Sequence, residues 1–258
     1  MTHLKFRYSS FNSMKPFLIL QLRPETPVSD DEFEAFVKHG GLGPTEVVRL
    51  RMDQLELPAI NLDDYSGVIV GGGPDDASNP MEKKSNQQRS YEPWLYRLLD
   101  EIIERDFPYF GCCYGLGALN LHQGGVVSKE KYAEPVQGID VALTEEGKED
   151  PLLAGLPETF RALVGHKEAC QNIAPGAVLL GRGEDCPVQM VRFKQNIYAV
   201  QFHPESTPAN FVLRINVYKH AGYFPPDDAE RLIDEVQKEE ITVPGEILRR
   251  FVERYRRG

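Results

Sequence analysis

Residues 108–121 read Pro108-Tyr-Phe-Gly-Cys-Cys-Tyr-Gly-Leu-Gly-Ala-Leu-Asn-Leu121. A short apolar strand, 108–110, runs through Gly111-Cys-Cys-Tyr-Gly115 directly into a helix-compatible segment. A G-x-Cys-x-G sequence permits the sharp strand-to-helix turn of a nucleophile elbow, with Cys113 at its apex. There the helix N-terminus is expected to lower the thiol pKa and favour thiolate. The backbone N–H of Tyr114 is left free to face an oxyanion. The same residues also suit a plain tight turn in which both cysteines are small buried hydrophobes.

Upstream, in residues 91–106, the pairs Trp94/Leu95, Leu98/Leu99 and Ile102/Ile103 recur every four residues, while Arg97, Asp100, Glu101, Glu104 and Arg105 fill the other face. This predicts a helix with one buried stripe. Short apolar runs bounded by turn residues predict strands at 17–20, 46–48, 67–70, 108–110, 139–143, 161–164, 177–180, 188–193 and 197–202. In the first half strands alternate with helices, which calls for a parallel sheet covered by helices. From about 133 to 202 the chain is β-rich, with turns such as Ala174-Pro-Gly176, and predicts an antiparallel or mixed extension. A helical pattern follows Pro208, Pro225-Pro226 breaks it, and two helices are expected over 227–240 and 244–257. The expected fold class is α/β, a mostly parallel central sheet flanked by helices with a mixed β extension and C-terminal helices. Residues 1–15 read as a flexible segment, 16–222 as the domain and 223–258 as a helical appendage.

The 258 residues carry 39 acidic and 29 Lys and Arg side chains, a formal charge of −10. That balance argues against coating nucleic acid or an anionic membrane, both of which need clustered cations, and favours small-molecule chemistry. The four cysteines, Cys112, Cys113, Cys170 and Cys186, lack the spacing of a zinc site and are too few for a disulfide scaffold, so no metal is expected and a reducing compartment is. With no signal-like or membrane-spanning run, the expected location is the cytoplasm.

A cysteine nucleophile needs a base and a group that orients it. The stretch Ile197-Tyr-Ala-Val-Gln-Phe-His-Pro-Glu205 is an apolar strand ending in His203, and in an extended chain Glu205 lies on the same side two residues on. The carboxylate can therefore hold one imidazole nitrogen while the other faces the thiol. A strand-end histidine beside a solvated glutamate is the plainer alternative. The strand Gly67-Val-Ile-Val-Gly-Gly-Gly-Pro-Asp75 runs into bare backbone that can approach a ligand, so Gly72 or Gly73 is expected to complete an oxyanion hole with Tyr114. Taken alone, the glycines mark only a turn.

Together GGGP at 71–74, GCCYG at 111–115 and QFHPES at 201–206 resemble the class I (triad) glutamine amidotransferases, especially the glutaminase domain of GMP synthase and its stand-alone relatives. The resemblance covers roughly residues 16–222 and implies a flavodoxin-like core. It implies that Cys113 attacks the γ-carboxamide of glutamine, that His203 protonates departing ammonia and then activates water, and that Glu205 holds the imidazole. It also implies a γ-glutamyl thioester, no cofactor, and a separate ammonia-accepting synthase subunit. The chain has no Ser-Gly-Gly-x-Asp-Ser motif for an ATP-pyrophosphatase and is not expected to make GMP alone.

Two departures bear on substrate. The family elbow continues G-x-C-x-G-x-Gln, but Gly117 stands at that glutamine. Gly165-His-Lys-Glu168 replaces a Ser-His-x-Asp-like segment. Gly117 and His166 are thus candidate substrate-binding positions, and the substrate is glutamine or another γ-glutamyl compound. A stand-alone γ-glutamyl hydrolase or peptidase with the same triad, and a catalytically silent binding subunit, are the rival readings. Cys112 is expected to turn inward as core filler, with Cys170 and Cys186 structural. The five arginines of 249–258 read either as cations favoured at a helix C-terminus or as a docking surface for an acidic partner.

Overall fold

The computed structural model describes residues 14–54 and 56–257. The chain builds β1 (Phe17–Gln21), α1 (Thr26–Gly40), β2 (Val47–Arg51), β3 (Gly67–Val70), α2 (Asn86–Arg105), β4 (Tyr109–Cys112) and α3 (Tyr114–His122). The β-rich stretch follows, with β5 (Val126–Ser128), β6 (Glu134–Leu143), α4 (Glu145–Glu149), β7 (Thr159–His166), β8 (Ala169–Asn172), β9 (Ala177–Arg182), β10 (Met190–Phe193) and β11 (Ile197–Val200). Helices α5 (Pro208–Val217), α6 (Ala229–Val236) and α7 (Val243–Tyr255) end it.

One nine-stranded sheet in the order β2-β1-β3-β4-β11-β10-β9-β6-β7 organises the fold. The first five strands are parallel, and from β11 to β7 every pairing is antiparallel. β1, β3, β4 and β11 are buried along their whole length. Helices cover both of their faces, so they read as continuous apolar runs rather than alternating ones. On one face Leu18, Leu20, Val68 and Val70 pack with the α2 stripe of Leu95, Leu98, Leu99 and Ile102. Helix α2 starts earlier than residue 91, because the Ser85 hydroxyl caps it by accepting from the Gln88 N–H at 3.0 Å. The sequence pattern does not mark β5 and β8, an isolated antiparallel pair that lays Val127 and Cys170 against α3. Strands of three and four residues are too short to show a period.

The opposite face corrects one expectation. Residues 223–258 are not an appendage to a complete domain, because α7 forms part of its core. Ile247, Leu248, Phe251 and Val252 are fully buried against the sheet. The Phe251 ring lies 5.1 Å from that of Phe110, 6.2 Å from Phe17 and 6.4 Å from Tyr198, so it bridges three strands. Arg249 and Arg250 pair with Glu246, and Arg256 pairs with Glu46, so much of the terminal positive charge is met within the chain. The expectation of a flexible start falls mostly on residues 1–13, outside the described residues. Lys15 bridges Arg257, its N–H donating to the Arg257 carbonyl at 3.0 Å. Among the described residues no helix is long and apolar enough to cross a membrane.

Phe251→Ala is expected to cost about 3–5 kcal/mol, as for other buried aromatic truncations. It should appear as a lower urea midpoint at unchanged slope. A change below about 1 kcal/mol would return α7 to the periphery.

Candidate active site

Parallel pairing sends the carboxyl ends of β1, β3, β4 and β11 to one edge of the sheet, where crevices of open α/β sheets form. Each end delivers one part of the site. Arg23 follows β1, Gly71-Gly-Gly73 follows β3, Cys113 follows β4 and His203 follows β11. Register sets the closest approach. Cys112 pairs with Val200, and the Cys113 N–H donates to the Val200 carbonyl at 2.8 Å.

Cys113 has φ 51° and ψ −98°, outside the ordinary regions for an L-residue, and the next residue already begins α3. Its neighbours make room for this strained turn. A Cβ at Gly111 would lie 2.7 Å from Tyr109 Oη and 2.8 Å from the Gly115 carbonyl carbon. Tyr114 is the first residue of α3, so its N–H has no intrahelical partner. Cys112 is fully buried on the apolar face of the sheet, as expected of core filler, and Cys170 and Cys186 are buried too.

Gly72 brings the reactive groups together. A Cβ there would stand 2.7 Å from His203 Cε1, 3.2 Å from Arg23 Nη2 and 3.4 Å from Cys113 Cβ. Imidazole, guanidinium and cysteine therefore surround one bare backbone position. His203 Nδ1 donates to Glu205 Oε1 at 2.9 Å, and the same oxygen accepts from Ser206 Oγ at 2.9 Å and Arg214 Nη2 at 2.8 Å. Nε2 of the ring is left for the thiol or substrate.

The electrostatics differ from the expected preformed thiolate. Loss of hydration pushes the Cys113 thiol up to about 12, with Glu168 and Glu205 adding to the shift while Arg23 and Arg214 oppose it. Burial also lowers the His203 pKa, helped by Arg214 and Arg23 and resisted by Glu205. Burial alone would raise the Glu205 carboxyl, but His203 and the permanently charged Arg214 hold it well below the usual carboxylate range. Burial thus disfavours charge on both the thiol and the imidazole.

Two chambers meet at Cys113, Gly73 and Tyr223. One holds His203, Arg23 and Arg214 against an apolar wall that includes Val136, Phe211 and Ile215. The other is lined by Asp75, Asp76, Lys167 and Glu168, along with Gly117 and His166. A Cβ at Gly117 would sit 3.5 Å from Glu168 Oε1, so the Glu168 carboxylate occupies the space beside the missing side chain. The N–H groups of Ala77 and Ser78 donate to that carboxylate at 2.7 and 2.9 Å. His166 borders the chamber, yet both ring nitrogens are engaged, Nδ1 with the Glu168 carbonyl at 3.0 Å and Nε2 with Glu134 Oε2 at 2.8 Å. It holds the Glu168 turn and has no free nitrogen for a substrate.

Sequence reasoning missed Arg23, Arg214 and Tyr223. Arg23 is a lone charge at the end of a buried strand, and Arg214 a lone charge within the apolar Phe211-Val-Leu-Arg-Ile215; each was a readable signal. Tyr223 had none. Its hydroxyl donates to the Gly73 carbonyl at 3.1 Å from a loop that only folding brings near.

A family model described as glutamine amidotransferase class-I matches residues 36–215. One of the subunits of the glutamine-hydrolysing GMP synthase of Thermoplasma volcanium is 30% identical over 182 residues, covering 70% of this chain and 82% of that protein. The glutamine-hydrolysing GMP synthase of Thermosipho melanesiensis is 33% identical over 151 residues, 58% of this chain but 26% of that longer protein. The chain therefore corresponds to about a quarter of the longer enzyme. A glutamine amidotransferase structure from Thermotoga maritima shares the fold with a TM-score of 0.73 at 19% identity, over 93% of this chain and 98% of that one. One from Methylobacillus flagellatus has a TM-score of 0.70 at 19% identity, over 95% and 98%.

Iodoacetamide labelling of Cys113 should accelerate about tenfold per pH unit from pH 7 to 10, since only thiolate reacts and the thiol titrates near 12. A plateau below pH 8 would indicate a preformed ion pair. Gly72→Ala, which drives a methyl against His203, should cut activity by about 10²-fold or more with an unchanged melting temperature.

Proposed function

The chain belongs to the class I glutamine amidotransferases, and from that membership and the geometry around Cys113 we propose that it is a cysteine hydrolase cleaving the γ-amide of glutamine through a γ-glutamyl thioester. The observation that carries this reading is the convergence of Cys113, His203 and Arg23 on the bare backbone of Gly72.

In the proposed sequence, Cys113 Sγ attacks the γ-carbonyl carbon as its proton passes to His203 Nε2. The Glu205 carboxylate, anchored by Arg214, fixes the ring so that Nε2 faces the sulfur and stabilises the imidazolium that forms. The oxyanion is met by the Tyr114 N–H and that of Gly72 or Gly73. Donors of this kind are typically worth about 10²–10³ each in rate. The tetrahedral adduct collapses, the C–N bond breaks, and ammonia leaves with the proton from His203. Neutral His203 then draws a proton from water, which attacks the thioester to release glutamate. The amino-acid end of glutamine lies in the polar chamber, where Glu168 replaces the family glutamine side chain lost at Gly117. By likeness to the Thermoplasma protein, which is one component of a GMP synthase, the ammonia passes to a separate acceptor protein.

Cys113→Ala should abolish glutamate release. Glu205→Gln should lower kcat by about 10²–10⁴-fold, as when a triad acid becomes an amide. Hydroxylamine should divert the wild-type thioester to γ-glutamyl hydroxamate. Undiminished glutamate release by Cys113→Ala would overturn the reading.

A further inference from the structure

Behind the polar chamber, three buried side chains from separate segments of the mixed sheet converge. Glu134 opens β6, His166 closes β7, and Cys186 lies in the loop between β9 and β10. A carboxylate oxygen, an imidazole nitrogen and the thiol sulfur all lie within 4.8 Å of one another. The contacts of His166 set up a conflict. Its Nδ1 lies 3.0 Å from the Glu168 carbonyl, which can only accept, so Nδ1 carries a proton and donates. In the neutral ring Nε2 then offers a lone pair, yet it faces Glu134 Oε2, another acceptor, at 2.8 Å. Two lone pairs at that separation repel unless a positive charge lies between them, either a proton or a metal ion. An imidazole whose Nδ1–H is held by a carbonyl while Nε2 points at other ligand atoms has the orientation that metal centres use.

Two further observations favour the metal. Gln189 is fully buried and donates its Nε2 to the same Glu134 oxygen at 2.7 Å, while its Oε1 has no hydrogen-bond partner among the described residues. An orphaned buried carbonyl costs free energy. Turning the amide over exchanges its two atoms and brings the oxygen beside the carboxylate, where a cation would hold it as a fourth ligand. The cluster also has an entrance, a surface cleft lined by Glu134, Asp140, Glu184 and Asp185. The one cation lining it, Arg161, is engaged by Glu239 and Asp140, so the mouth remains attractive to a diffusing cation.

We propose that Glu134, His166, Cys186 and Gln189 form a structural zinc-binding centre. One sulfur, one nitrogen and two oxygens in a set of four suit Zn²⁺, which bonds such ligands at about 2.0–2.3 Å, whereas Mg²⁺ and Ca²⁺ require six or more oxygens. Ligands at those bond lengths stand about 3.3 Å or more apart, so the ion parts Nε2 from Oε2 slightly. The Cys186 thiol, which donates to the Val188 carbonyl, loses its proton to solvent as the thiolate binds. Cysteine spacing hides such a centre, because its ligands come one or two at a time from residues 134, 166, 186 and 189. The ion would tie three segments together and, through His166 Nδ1, brace the Glu168 turn that walls the polar chamber. The proposal stands independently of the hydrolase reading.

The test uses the full chain without an affinity tag, purified without chelator and assayed for metals by elemental analysis. About one zinc per chain is expected, with its removal by dipicolinate lowering the melting temperature and added Zn²⁺ restoring it. Co²⁺ in place of zinc should give a thiolate-to-cobalt charge-transfer band that persists in Cys113→Ala and in Cys170→Ser and disappears in Cys186→Ser. Should Cys186→Ser fail to fold, Glu134→Gln keeps the side-chain shape and should weaken zinc binding about tenfold or more. Wild type that carries no stoichiometric zinc, and whose melting temperature Zn²⁺ does not raise, would overturn the proposal and leave a shared proton between Glu134 and His166. A cobalt band lost in Cys113→Ala would also overturn it, placing the metal in the cleft instead.

Discussion

The site depends on one backbone contact, the hydrogen bond from the Cys113 N–H to the Val200 carbonyl that closes the parallel pairing of β4 with β11. Parallel strands must be joined by a crossover, and here it is long enough to contain the entire antiparallel half of the sheet. The pairing brings residues 90 positions apart into one register, and side-chain direction follows. A shift of one residue would turn each side chain to the opposite face, sending the sulfur into the apolar layer that now holds Cys112. α7 bears on the same strands from behind, with Phe251 against Phe110 and Tyr198. Packing of the last helix therefore supports the geometry around Cys113.

Buried charge is the second constraint. Arg23, Glu32, Arg214 and Glu205 form a chain of alternating sign beneath the cleft, with Arg23 bonded to Glu32 and Arg214 lying 3.9 Å from Glu32 and 2.8 Å from Glu205. Such groups tolerate burial only when paired, and removing one member leaves an uncompensated charge. The arrangement keeps Glu205 ionised while disfavouring charge on both thiol and imidazole. The elbow dipole alone suggested the opposite. A thiol in a dense cleft loses hydration, and here that loss outweighs what the helix terminus and two arginines return.

β1, β3, β4 and β11 were legible because burial on both faces writes an unbroken apolar run, and the α2 stripe was legible because helical period survives in any window of three turns. The turn at Cys113 and the pairing of His203 with Glu205 were legible because elbow and strand-end geometry are local. β5 and β8 were not, being too short to carry a period. The place of α7 was not, since an amphipathic helix has the same pattern whether it caps a finished domain or fills its core. Gly117 was visible as a departure, but that Glu168 fills the space beside it was not.

The amino-acid sequence by itself determined the α/β class, the elbow that lifts one cysteine out of its strand, and the imidazole–carboxylate pair held two residues apart. All of these follow from the stereochemistry of a few consecutive residues. Only the tertiary structure decided that Arg23, Arg214 and Tyr223 join the site, that burial disfavours the thiolate, and that the space around it divides into an acidic chamber and one bearing two arginines. Those properties depend on distances and hydration shared among segments up to 200 residues apart, and no local pattern encodes them.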